Sequence, residues 1–63
     1  RLSPTEFIVR ARLVEACRLL SETGNPIGSI APDLGFSDQS AFNKLFRKHL
    51  GTSPREYRRL RAR

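Results

Sequence analysis

"IAPDLGFSDQSAFNKLFRKHLG", residues 30–51, decides how the rest of the chain is read. Ile27, Ile30, Ala31 and Leu34 recur at helical spacing and stop at Gly35, so a short helix ends in a turn that needs glycine's backbone freedom. The pattern then restarts: Ser37 is expected to cap a longer helix, Asp38 suits its positive end, and Gly51 closes it. Its apolar stripe is Phe42, Leu45, Phe46 and His49 or Leu50, and Phe36 is expected to pin the turn to the core. A short helix, a glycine turn and a longer helix with polar residues at its start form a helix-turn-helix arrangement over residues 27–50. Pro32 disturbs it, because proline inside a helix removes a hydrogen bond and crowds the preceding turn. Either that helix starts late, near Ser29 or Ile30, or it is distorted.

Working outward, "LSPTEF" at residues 2–7 and "TSPREY" at 52–57 repeat one another 50 residues apart. Both are helix starts, with serine as cap, proline at the first helical position and glutamate able to reach back to the cap amide. Leu2 and Phe7 also occupy the positions of a hydrophobic staple. After the first box, Phe7, Ile8, Ala11, Leu13, Val14, Ala16, Cys17, Leu19 and Leu20 recur with a helical period to about Ser21, after which Gly24 is expected to take the left-handed closing position and Pro26 cannot continue the helix. Ile30, Ala31, Leu34, Leu45 and Phe46 are expected to hold the two helices of the central motif together. No segment reads as a strand. The expected fold is all-α, a helix-turn-helix (homeodomain-like) domain of three to four helices filling residues 1–63: a connecting helix over 1–22, the motif over 27–50 and a last helix over 53–61.

Several function classes drop out on composition. One cysteine and one histidine among 63 residues can make neither an internal disulfide nor a four-ligand zinc site. Cys17 reads as a small core residue, His49 as an ordinary residue near a helix end, and Tyr57 as core with a polar tip. Arg12, among apolar neighbours, is either a buried ion-pair member or snorkelled along its stem. No nucleophile, base and acid fall in a recognisable order, and no glycine-rich phosphate loop follows a strand, so the reading is not an enzyme and includes no cofactor, metal or small-molecule ligand. Apolar runs are far shorter than the ~20 residues that span a bilayer, so no membrane role is expected.

Charge supplies the positive argument. Twelve lysines and arginines face six acidic residues, and residues 37–63 hold eight of the basic groups against Asp38 and Glu56. A basic half beside a neutral one is the footprint of a face for a polyanion. The free face of the long helix carries Gln39, Ser40, Asn43, Lys44, Arg47 and Lys48. Gln and Asn match adenine edges, Lys matches guanine, Ser matches either, and basic residues further along suit phosphates. A solvated helix face has the same composition, so spacing alone leaves both readings open.

In this register the residues resemble the AraC/XylS family of bacterial transcription regulators. The match to the second helix-turn-helix of that family comprises Ile30, Ala31, Gly35, Phe36, Ser40, Phe42, Phe46, Arg47, Gly51, Ser53, Pro54, Tyr57 and Arg58, and its connecting helix is matched by Arg12, Leu13, Ala16, Leu19 and Leu20. The resemblance implies sequence-specific binding to double-stranded promoter DNA in the cytoplasm, at the nucleoid, with the helix over 38–50 in the major groove. It implies base contacts by Gln39, Ser40, Asn43 and Lys44, with Asp38 and Ala41 at the edge, and phosphate contacts by Ser37, Arg47, Lys48, Thr52 and Arg55. The family often has a larger side chain in place of Ala41 and arginine in place of Lys44. It also implies that this chain is half of a two-unit module, the first repeat box following another recognition helix upstream of Arg1. The alternative is a protein-interaction module contacting RNA polymerase or another regulator.

Overall fold

The structure, a computed structural model, describes residues 3–61. Within them lie α1 (Pro4–Glu22), α2 (Ile27–Asp33), α3 (Gln39–Leu50) and α4 (Pro54–Arg61), and no strand. The all-α helix-turn-helix class read from the sequence is the observed one.

The capping box of α1 forms as its residues dictate. Ser3 Oγ accepts the Glu6 amide at 3.1 Å, and Glu6 Oε1 accepts the Ser3 amide at 3.1 Å. The bond from the Ser3 amide, followed by that to its hydroxyl, holds the Glu6 carboxyl below its ordinary range. Leu2, the other half of the expected staple, lies outside the described residues.

At the far end of α1 the expectation for Gly24 fails, since positive φ occurs only at Gly35 and Gly51 among the described residues. Thr23 ends the helix instead in an extended conformation, its amide and hydroxyl both donating to the Leu19 carbonyl at 3.1 and 2.6 Å. Arg58 reaches over from α4 and donates to the Leu20 carbonyl at 3.1 Å and to that of Thr23 at 3.2 Å. With the terminal carbonyls covered by a hydroxyl and a guanidinium, no left-handed residue is required.

Proline also acts differently from expectation in α2. The helix does not start late: the Pro26 carbonyl accepts the Ser29 and Ile30 amides at 2.9 and 3.1 Å, so the first turn opens at Ile27. Pro32 is the penultimate residue, and its missing N–H deprives only the Gly28 carbonyl, on an exposed residue that water can reach. The chain then turns: Leu34 shares its amide between Ile30 and Ala31, Phe36 donates to Ala31 at 3.0 Å, and Gly35 takes φ 92°. A Cβ at Gly35 would stand 3.0 Å from the Arg12 guanidinium carbon, the far end of a flexible side chain that can give way, so it is the backbone angle that requires glycine there. Arg12 is exposed and its Nη1 lies 3.5 Å from the Gly35 carbonyl, which favours the snorkelled reading over a buried ion pair.

The core joins Leu13, Ala16 and Leu20 of α1, Ile30 and Ala31 of α2, Phe36 of the turn, and Phe42 and Phe46 of α3, with Leu34, Leu45, Cys17 and Tyr57 packed around it. Phe36, Phe42, Phe46 and Tyr57 form a chain of tilted and edge-on rings with centroids 5.1, 5.7 and 5.6 Å apart. Burial, with the neighbouring Cys17 thiol, pushes the Tyr57 phenol up. Three large residues that share the apolar period of α1 stay outside: Phe7, Ile8 and Val14 are 67, 48 and 71 % exposed. The i, i+3, i+7 stripe of Leu13, Ala16 and Leu20 is buried against the other helices, with Val9, Cys17 and Leu19 partly buried beside it. Ala11 and His49 are likewise exposed, and Leu50 is only partly covered.

Two stability predictions follow from these helix ends. Arg58→Ala removes a cationic donor from two carbonyls, worth about 2 kcal/mol, and should lower the melting temperature by roughly 10 °C in a circular-dichroism melt; Arg58→Lys, lacking the fork, should recover only part. Pro32→Ala restores the donor to Gly28 and should raise the melting temperature by about 5 °C; an unchanged or lower value would refute the account.

Candidate nucleic-acid interface

α3 begins on Asp38, not on Ser37. Asp38 has the extended backbone of a cap, and its carboxylate accepts the Ala41 amide at 2.8 Å. Ser37 stands one residue too early for its hydroxyl to take that role, and it is exposed. The helix proper therefore starts at Gln39, one residue later than its expected span. It closes at Gly51, whose φ of 80° lets its amide reach the Arg47 carbonyl at 2.9 Å.

With about 3.6 residues per turn, the side opposite buried Phe42 and Phe46 carries Ser40, Lys44 and Arg47, with Lys48 beside them, and all four are exposed. The other two expected base readers lie on a flank. Gln39 turns its Oε1 to within 3.4 Å of where a Cβ on Gly28 of α2 would stand. Asn43 is half-buried, with its Oδ1 enclosed and without a hydrogen-bond partner. On the opposite flank Asp38, Ser40, Ala41, Lys44 and Leu45 line a shallow depression of about 410 Å³. Of the expected phosphate ligands, Ser37, Arg47, Lys48 and Arg55 are exposed and Thr52 is half-buried.

The basic half of the chain divides in two. In α4, Arg58 is used as a cap for α1, Arg59 pairs with Glu56, and Arg61 lies over the Tyr57 ring at 5.0 Å. The remaining ion pairs among the described residues join Arg18 to Glu15 and Glu22. Lys44, Arg47, Lys48 and Arg55 enter none of them, nor do Arg10 and Arg12 of α1, so within the basic half the unpaired positive charge gathers on α3 and the first turn of α4. Arg47, Lys48 and His49 also sit in the last turn of α3, where the helix dipole favours cations. The capping role of Arg58 had no signal in the sequence, because its acceptors lie 35 and 38 residues away.

A family model described as a helix-turn-helix domain matches residues 1–60. The chain belongs to the AraC/XylS family of bacterial transcription regulators. Among similar members of that family is the uncharacterized HTH-type transcriptional regulator YisR of Bacillus subtilis, 42% identical over 98% of this chain and 22% of its own length. The HTH-type transcriptional activator RhaS of Escherichia fergusonii is 42% identical over 90% of the chain and 20% of its length. The probable transcription factor PqrA of Proteus vulgaris is 40% identical over 84% of the chain and 43% of its length. This AraC/XylS-family chain thus spans about a fifth of the length of the first two relatives. No solved structure matches it. No described helix is long and apolar enough to cross a membrane.

The cap assignment makes a direct prediction for the helix that carries the exposed stripe. Asp38→Ala should destabilise the chain by about 1 kcal/mol, whereas Ser37→Ala should stay within about 0.5 kcal/mol of the parent, both read from thermal melts.

Proposed function

We propose that the chain is a sequence-specific double-stranded DNA-binding module of a bacterial transcription regulator, presenting α3 to the major groove of a promoter. The carrying observation is the exposed stripe of Ser40, Lys44 and Arg47, backed by the aromatic core and free of internal ion pairs. Rigid seating on Phe42 and Phe46 suits recognition, because a reading helix must hold its side chains in one register against base edges.

In this reading Lys44 meets guanine O6 and N7, and Ser40 beside it takes either a donor or an acceptor edge. Gln39 and Asn43 read adenine after turning away from the α2 flank. For Asn43 the exchange is favourable in sign, since an enclosed oxygen without a partner gains the adenine N6 donor. Arg47, Lys48 and Arg55 neutralise phosphates, while Ser37 and Thr52 add neutral hydrogen bonds that fix the register.

Three cationic contacts imply that the logarithm of the binding constant falls with the logarithm of salt with a slope of about −3. Arg47→Ala should weaken specific and random duplexes alike and reduce the slope by about one, measured by fluorescence anisotropy at two or more salt concentrations. Lys44→Ala or Gln39→Ala should instead narrow the gap between specific and random sequence, by about 1–3 kcal/mol for a lost bidentate contact. Equal losses on both kinds of duplex for these two variants would refute the roles given to them.

A further inference from the structure

We propose that the groove between α1 and the C-terminal turn of α3 is a docking site for an acidic amphipathic helix of a partner protein. The groove has a volume of about 410 Å³ and is lined by Arg10, Leu13, Val14, Cys17, Lys48, His49 and Leu50. Its floor is apolar: Leu13 belongs to the core, Cys17 is half-buried against it, and Val14 and Leu50 offer their side chains to solvent. Its rim is cationic or can become so, with Arg10 on one side and Lys48 and His49 on the other.

The occupant follows from shape and charge together. Phe7, Arg10, Val14 and Cys17 share one side of α1 at i, i+3, i+7 and i+10, a strip about 15 Å long and three turns deep. A strip of that length takes a short helix whose apolar side chains recur every three or four residues. None of the ion pairs among the described residues uses Arg10, Lys48 or His49. Bonds to the Ser3 amide and hydroxyl, and after these the charges of Lys48 and His49, hold the Glu6 carboxyl below its ordinary range. Glu6 balances part of this rim, and an incoming segment with Asp or Glu flanking its apolar residues would supply the remaining counter-charge. Nucleic acid fits less well, since a phosphate backbone would leave Val14 and Leu50 uncovered.

The test is an NMR titration of the isotopically labelled 63-residue chain with a peptide of roughly four turns, bearing Leu at i, i+3, i+4 and i+7 and Glu elsewhere. Saturable shifts confined to residues 7–17 and 48–50 are expected, weakening with salt and absent when every Glu of the peptide is Lys. Val14→Glu and Arg10→Glu should each weaken peptide binding by about tenfold or more, and Val14→Glu should leave duplex DNA affinity unchanged. Val14 and Arg10 are exposed, so neither substitution disturbs the core. Absence of saturable shifts, equal binding of the Glu and Lys peptides, or shifts that map elsewhere would overturn the proposal. Shifts of the same residues that depend on protein concentration without peptide would overturn it too, by making a second copy of the chain the occupant.

Discussion

The aromatic chain from Phe36 through Phe42 and Phe46 to Tyr57 is the constraint on which the remaining structure depends. Its four rings belong to the turn, α3 and α4, and the edge-on and tilted contacts fix the rotation of α3 about its own axis. Once Phe42 and Phe46 are buried, Ser40, Lys44 and Arg47 have no direction left but outward. The energetic weight is correspondingly large. A domain of this size has a total stability of roughly 3–9 kcal/mol, while removing one buried Phe costs about 3–5 kcal/mol, so a single ring is comparable with the whole.

The arginines show how one residue type is divided between holding the fold and leaving charge on its surface. Arg58 closes α1 from α4, and Arg12 lies across the glycine turn from α1, so each ties together elements distant in sequence. Neither contributes an unassigned charge in the way that Arg47 and Arg55 do. Net charge therefore overstates the cation available to a partner: in α4 three of the arginines already have internal acceptors, a carboxylate or a ring face. What distinguishes α3 is that none of its basic residues enters an ion pair among the described residues.

Local chemistry was legible in the sequence to the extent that it is decided within one turn of helix. Ser3 with Glu6, the left-handed Gly35 and Gly51, and the burial of Phe36, Phe42 and Phe46 all belong to that class. The misreadings arise where a distant group or a neighbouring backbone angle intervenes. Gly24 gave way to Thr23 because a hydroxyl and Arg58 reached the same carbonyls, and Ser37 gave way to Asp38 because the chain leaves the turn one residue later. For the site, the outward direction of Ser40 and Lys44 follows from periodicity alone. The approach of Gln39 to Gly28 and the enclosure of the Asn43 oxygen do not, because they depend on how neighbouring elements pack, about which helical spacing carries no information.

The two Ser-Pro boxes separate these levels most sharply. Ser3 and Ser53 both cap the amide three residues on, at 3.1 Å in each case. Yet Glu6 completes its box by returning to Ser3, while Glu56 turns to Arg59 instead. Pro54 is buried and Tyr57 packs on Phe46, whereas Pro4 and Phe7 at the corresponding positions stand in solvent. A shared Ser-Pro-x-Glu box thus fixes where a helix begins but leaves open what its first turn packs against. Phe7, Ile8 and Val14 leave apolar surface of α1 exposed. Because the same helix supplies Leu13, Ala16 and Leu20 to the core, anything that covers that surface acts on a rigid element already coupled to α3.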